Sequence, residues 1–342
     1  MIKGLIAKTV TGHDLTEAEA RLAMQAIMDE EVTPAQFAAL VTAMRIKGEC
    51  LDEVVGFASV MRDRALPVRA DGIGMVIDTC GTGGDGIGSF NVSTAAAIVV
   101  AAAGCAVAKH GNRAASSKCG SADVLEELGV NITATPEQAT AGLERMGIAF
   151  LLAPLYHPAT RFAVGPRREI GIRTVFNILG PLTNPARVKA QVLGVADRSL
   201  VPMMAGALQR LGSRHALVVC GADGLDELSI SGPTAITELN GGSLRAYEVV
   251  PEAVGLTRAP LQEVLGGSAK ENAAILRDVF ERPRPGARRD IVALNAAAGL
   301  VVSEMVTDLS EGVKVAIEII ESGKALEKLE KWVRYTQWQA AS

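Results

Sequence analysis

Apolar residues follow two rhythms along the chain, and the change between them comes near residue 75. Before it the spacing is helical. Thr16 and Glu19 form a capping box that opens a helix carrying Leu22, Ile27 and Met28. Thr33 and Gln36 repeat the device, with Pro34 at the first helical position and Gly48 as a stop. A third helix is expected over about residues 52–64. Residues 65–72, holding Pro67 and Gly72, read as a connection to a different unit.

From Met75 short apolar runs alternate with helical segments. MVID is followed by a helix over 94–103, then CAVA, then a helix near 122–128 ended by Gly129. QVLGVAD, a helix over 200–211 and HALVVCG continue the alternation, which predicts a largely parallel sheet with crossover helices. ITELNGGSLRAYEV places Asn240, Gly241 and Gly242 between two alternating runs, as a hairpin requires. Helices return over 291–302 and 313–335. The expected fold is α/β: a small all-helical N-terminal domain over 1–70, which helices from about 165–190 can complete, and a larger α/β domain over 71–342 whose mixed, largely parallel sheet is flanked by helices.

Composition narrows the function classes. The 342 residues are 49% hydrophobic but only 4% aromatic, which suits close-packed helices over a sheet better than an all-β fold. A net charge of −4 gives no basic field for nucleic acid or an anionic membrane, so neither is expected as a partner. Five separated cysteines lack metal-ligand spacing and point to a reducing cytosol. MIKGLIAKTVTGHDL shows no signal-peptide pattern. The apolar stretch 95–108 is 14 residues long, short of the ~20 that span a bilayer, and reads as buried helix and strand.

Chemistry concentrates in three loops. In residues 78–93, DTCGTGGDGIGSFNVS, five glycines (Gly81, Gly83, Gly84, Gly86, Gly88) fall between two apolar runs. The match to G-x-G-x-x-G is weak by itself. A dinucleotide fold needs an acid at the end of the next strand, where this chain has Lys109 and His110. A triphosphate loop needs a Lys-Ser/Thr ending that is absent. What remains is an anion cradle of backbone amides leading into Asn91, Ser93 and Thr94 at a helix start. The second loop, KHGNRAASSKCGS over 109–121, sets cations and serines among small residues after a strand. Two anion-suited loops at strand ends imply an extended, multiply charged ligand. In the third, Asp226 and Glu227 follow the strand HALVVCG; beside phosphate, hard oxygen donors of this kind suit Mg²⁺.

DTCGTGGD, FNVST, KHGNRAASSKCGSADVLEELG, IRTVFNILGPLTNPA and GLDELS, in that order, resemble the anthranilate phosphoribosyltransferase family of tryptophan biosynthesis, and the likeness runs over nearly the whole chain. The resemblance implies a fold shared with pyrimidine nucleoside phosphorylases, a homodimer and a cytoplasmic location. It implies transfer of the phosphoribosyl group from 5-phosphoribosyl 1-pyrophosphate (PRPP) to the amino group of anthranilate, giving N-(5-phosphoribosyl)anthranilate and pyrophosphate. Mg²⁺ is required, with about two ions per active site, and a separate anthranilate synthase is the partner the resemblance allows.

Position by position, the resemblance gives PRPP to Gly81, Gly84, Asp85, Ser89, Asn91, Val92, Ser93, Thr94, Lys109, Gly111, Asn112, Ser117 and Ser121. It gives anthranilate to Gly81, His110, Asn112 and Arg167, and the metal to Ser93, Asp226 and Glu227. Asp85, Lys109, His110 and Arg167 become the catalytic set. Two positions depart from the family's pattern: Ser89 stands where Thr is common, and Gly165-Pro166-Arg167-Arg168 replaces Pro-Val-Arg-Arg, so Arg168 competes with Arg167 for the anthranilate role. His157 borders either the acceptor site or the core. The alternatives are a pyrimidine nucleoside phosphorylase on the same fold and a non-catalytic nucleic-acid-binding relative.

Overall fold

The computed structural model describes residues 1–114 and 117–341; Ala115 and Ser116, within the 109–121 loop, lie outside the described residues. Threonine caps start two of the N-terminal helices. After α1 (Ile2–Val10), which has no side-chain cap, Thr16 Oγ1 accepts the Glu19 amide and the Glu19 carboxylate accepts the Thr16 amide, opening α2 (Glu17–Met28). Thr33 and Gln36 make the same reciprocal pair at α3 (Pro34–Lys47), and α4 (Leu51–Arg64) follows. Ile27 and Met28 are buried, whereas Leu22 faces outward at 47% exposure.

Glu53, fully buried, ties these helices together. Its Oε1 accepts the Leu15 amide at 2.9 Å, and its Oε2 accepts the Cys50 amide at 2.9 Å and Lys47 Nζ at 3.0 Å. Lys47 also donates to Asp14 at 2.6 Å. Asp14, Cys50 and Glu53 stand close enough to hold a metal ion, but the Lys47 ammonium already supplies the positive charge there.

Seven strands form one sheet. In chain order, β1 (Val76–Gly81) leads through α5 (Val92–Ala102) to β2 (Ala106–Gly111). Helices α6 (Ser121–Glu127) and α7 (Pro136–Met146) connect to β3 (Ile148–Leu152). Then α8 (Ala153–Tyr156), α9 (Arg161–Ile170) and α10 (Phe176–Leu179) precede β4 (Ala190–Gly194). α11 (Leu200–Arg210) leads to β5 (His215–Gly221), and β6 (Thr234–Asn240) and β7 (Ser243–Val249) make the hairpin, with Gly241 and Gly242 at φ 56° and 87°. The order is β3-β2-β1-β4-β5-β6-β7, parallel through β5 and antiparallel at β6 and β7.

Strand alternation divides the core. In β5, Leu217 and Val219 join the layer of α5 and of α13 (Ala287–Val302), while Ala216, Val218 and Cys220 join α11 and the N-terminal helices. After Ser93 and Thr94 in its first turn, α5 is alanine, valine and one isoleucine, with nearly every residue buried, as that apolar run requires. The helical layer is not closed by residues 1–70 alone. α9 packs on α2 and α3, and α10 on α4, so the segment between β3 and β4 completes it. Arg62 staples α4 to the sheet side, donating to the carbonyls of Leu182 at 2.5 Å and Leu211 at 3.0 Å.

After α12 (Ala269–Glu281) and α13, the single helix expected over 313–335 is two, α14 (Leu309–Glu321) and α15 (Lys324–Ala341). Gly323, at φ 79°, breaks it: the left-handed conformation ends the first helix and only glycine adopts it freely. Among the described residues no helix is long and apolar enough to cross a membrane.

Removing the Glu53 carboxylate takes the acceptor from the buried Leu15 amide and the buried partner from Lys47, which keeps only the exposed Asp14 and the Gly48 carbonyl. Glu53→Ala is expected to cost about 3–5 kcal/mol in urea unfolding; a loss below ~1 kcal/mol would mean that neither group depends on it.

Candidate active site

The three chemistry-bearing loops meet at the carboxyl ends of β1, β2 and β5, around a cleft of about 360 Å³. Its far wall comes from the helical layer: Arg167 on α9, Arg173, and Phe176 and Asn177 on α10. Every residue that the sequence nominates for substrate or metal lines this cleft except Thr94, which is 1% exposed with its hydroxyl in the core and without a hydrogen-bond partner, and the two alternatives Arg168 and His157, of which His157 is buried.

Glycine lets the acidic loop lie across the strand ends. Gly81 and Gly194 are register partners on β1 and β4. A Cβ on Gly81 would overlap the Asp226 carboxylate, and one on Gly194 would overlap the Asp226 main-chain carbonyl. The loop is held from behind by Asp223, whose Oδ2 accepts the Ser229 hydroxyl at 2.6 Å, and by Asn295, whose Oδ1 accepts the Leu228 amide at 2.9 Å.

Asp226 Oδ2 accepts the Gly83 amide at 2.7 Å, and Glu227 Oε1 accepts the Ser93 amide at 3.0 Å at the start of α5. Two amides of the kind expected to face phosphate are thus donated to carboxylates in this state. Both acids titrate above the usual carboxylate range. Burial is the main cause for each, followed by the charge of Asp85 for Asp226 and of Asp226 for Glu227. Among the described residues no lysine or arginine forms a salt bridge with either. Lys109, itself buried, donates Nζ to the Thr79 carbonyl at 2.5 Å and to Ser93 Oγ at 3.4 Å, between the charges of Asp78 and Glu227. Burial lowers its pKa. A pair of buried, incompletely neutralised carboxylates with a serine hydroxyl beside them is a donor set that fits a hard divalent cation.

Beneath the second loop, Asp78 on β1 accepts the His110 amide at 3.2 Å and the Asn184 side chain at 2.8 Å, and burial pushes its carboxyl up to about 6. Gly111 leaves room for Ser121 Oγ, which donates to the Asn112 carbonyl at 3.4 Å. Ser117 Oγ donates to the Cys119 carbonyl at 3.4 Å. Arg113 also lines the cleft, with its guanidinium held in ion pairs with Asp123 and Glu126.

His110 Nδ1 lies 3.1 Å from the Gly180 carbonyl. A carbonyl only accepts, so Nδ1 carries the proton and Nε2, buried without a partner, is left as an acceptor. The His157 ring lies 5.2 Å from it. Burial, then the neighbouring His157, pushes His110 down to about 3, and burial pushes His157 down to about 4.

Arg167 sits half-buried, its guanidinium 5.4 Å from the Phe176 ring centroid, and no carboxylate among the described residues pairs with it. Burial lowers its pKa. Arg168 is exposed and outside the cleft. Arg173, which sequence reasoning did not single out, donates Nη2 to the Gly83 carbonyl at 3.1 Å, and its guanidinium fills the space where a Cβ of Gly84 would stand.

Comparison with known proteins matches the fold. The profile of a glycosyl transferase family a/b domain matches residues 74–326, and that family's helical bundle domain matches 3–65. The chain is 51% identical over 341 residues to the anthranilate phosphoribosyltransferase of Moorella thermoacetica, covering 100% of both. The crystal structure of the Thermus thermophilus enzyme of that name is similar at TM-score 0.92 and 45% identity, over 97% of this chain and 99% of that one. The Saccharomyces cerevisiae enzyme is similar in complex with PRPP and Mg (TM-score 0.88, 27% identity, 98% of both chains). It is also similar in complex with 4-fluoroanthranilate (0.87, 26%, 98% of both).

The histidine pair makes acid destabilising. Both pKa values lie below the ordinary 6.5, so between that pH and about 4 the unfolded chain binds more protons. The pair's contribution to stability is therefore complete above pH 6.5 and falls as pH drops, by up to ~1.4 kcal/mol per pH unit for each histidine. Thermal unfolding of His157→Asn between pH 6.5 and 4.5 is expected to show a shallower slope than the parent; an equal slope would contradict the buried neutral pair.

Proposed function

The chain belongs to the anthranilate phosphoribosyltransferase family and is a pentosyltransferase, and on that premise we propose that its cleft moves the phosphoribosyl group of PRPP to the amino group of anthranilate. N-(5-phosphoribosyl)anthranilate and pyrophosphate are released, and the reaction needs Mg²⁺. The observation that carries this reading is one cleft with two unlike walls. One wall offers buried carboxylates, Lys109 and a glycine loop, and the facing wall offers an arginine with no carboxylate of its own.

The bond from ribose C1 to the pyrophosphate oxygen breaks as positive charge grows on the sugar ring and negative charge on the leaving group. Asp226, Glu227 and Ser93 would hold Mg²⁺, whose charge helps neutralise the pyrophosphate. Asn91, the glycine-loop amides and Lys109 offer further donors to the same oxygens. The facing wall orients the acceptor: Arg167 pairs with the carboxylate of anthranilate, and the Phe176 ring backs the guanidinium.

An aromatic amine is neutral and nucleophilic at pH 7, so a strong base is not required. His110, kept neutral by burial, puts no positive charge beside the amine and leaves its lone pair free for C1. A homodimer belongs to the same proposal. It is supported by Val10, Ile46 and Val164, exposed at 66%, 83% and 60% on α1, α3 and α9, three helices packed in succession.

The test is loss of anthranilate fluorescence on mixing with PRPP and Mg²⁺. Turnover is expected there and absent with thymidine and phosphate; the reverse would select a nucleoside phosphorylase. Arg167→Ala is expected to raise KM for anthranilate about tenfold to a hundredfold, the worth of a charge-assisted pair, with KM for PRPP within about twofold. An unchanged anthranilate KM would remove Arg167 from the acceptor site.

A further inference from the structure

The segment GGSAKEN, 266–272, stands far from the three loops in sequence yet is stitched to the glycine loop. The Phe90 amide donates to the Val264 carbonyl at 3.0 Å, the Gly266 amide donates to the Gly88 carbonyl at 2.8 Å, and Ser89 bridges Leu265 in antiparallel fashion. A Cβ on Gly266 would overlap Asn272 Oδ1 and the Phe90 backbone, so the approach needs glycine. Just beyond, Ser268 and Glu271 cap α12 and fix Asn272 in its first turn, 2% exposed.

Asn272 links that brace to the cleft through a chain of hydrogen bonds whose directions are forced. The Gly267 amide can only donate, and it points at Asn272 Oδ1 at 2.7 Å. Asn272 therefore turns Nδ2 outward, and Nδ2 donates to Asn91 Oδ1 at 2.9 Å. The Cys119 thiol donates to the same oxygen at 3.3 Å. Both contacts claim the oxygen of Asn91, so its NH₂ is the end left for the cleft. There it now makes only a long 3.4 Å contact to the Cys119 carbonyl. Phosphate oxygens accept and do not donate, so the cleft needs that orientation and not its flip.

We propose that Asn272 is a positioning residue for the phosphoribosyl donor: its buried amide holds Asn91 with the NH₂ facing the donor's phosphate oxygens. The inference rests on the reading that Asn91 meets PRPP. In Asn272→Asp the acceptor for Gly267 is kept and the donor to Asn91 is lost; Asn272→Ala removes both without adding charge.

Calorimetric titration of PRPP with Mg²⁺ into the full chain, beside steady-state kinetics, tests it. Each Asn272 variant is expected to weaken PRPP binding about tenfold, the worth of one hydrogen bond to a charged group, with KM for anthranilate within about twofold. In an Asn91→Ala background, Asn272→Ala is expected to add less than about twofold, because the two residues act through one contact. A full tenfold in that background, or equal losses for both substrates, assigns Asn272 a general structural role and overturns the inference while leaving the donor reading intact. An Asn91→Ala chain that binds PRPP as the parent does overturns the donor reading and the inference together. Should Asn272→Asp not fold, Asn272→Ala and Asn272→Ser carry the same expectation, since the serine hydroxyl is too short to reach Asn91.

Discussion

Two adjacent carboxylates buried at the carboxyl edge of a parallel sheet set the terms for the structure around them. Removing an ion from water costs several kcal/mol even after relaxation, and Asp226 and Glu227 are taken out of water side by side. The fold compensates with the Gly83 amide, the Ser93 amide at the start of α5, and the buried Lys109 ammonium beside Glu227. The compensation is incomplete, because both acids still titrate high. A divalent cation and the phosphate oxygens it brings would complete it, so the uncompensated charge of the fold becomes affinity for the charged donor. Gly81 and Gly194 are needed for the same reason: without them the acidic loop could not reach the strand ends.

The sheet and the helical layer divide the chemistry between them. Strand ends and the loops that follow hold groups suited to anions and metal, while α9 and α10 bring Arg167 and Phe176 from the other side. The helical layer is built from two distant stretches of chain, its first four helices and the segment between β3 and β4, so the cleft exists only where the two stretches and the sheet are packed together. The His110–His157 contact lies at this junction, where His110 is the last residue but one of β2 and His157 follows α8.

The α/β architecture and the three loops were legible in sequence because they rest on local signals: capping boxes, strand-to-helix alternation, and glycines at strand ends. α7 and α12 carry the same signal in Thr135–Gln138 and Ser268–Glu271, and Gly323 marks the break between α14 and α15. α1 carries no side-chain cap at its N-terminus, which leaves only a short apolar repeat to mark its start. What sequence did not disclose is non-local. The carboxylates that take the Gly83 and Ser93 amides come from 143 and 134 residues away, and Arg173 and Asn272 reach the glycine loop across 90 and 181. Thr94 resembles its neighbours in sequence, yet its place on α5 turns its hydroxyl inward, which helical phase decides once packing has fixed the buried side.

The most direct measurement is a crystal structure of the chain soaked with PRPP and Mg²⁺. The account requires pyrophosphate density in the bend from Gly81 to Asn91, with metal density between its oxygens and the carboxylates of Asp226 and Glu227. Donor density elsewhere on the molecule, with that bend vacant and the two acids unliganded, would contradict it.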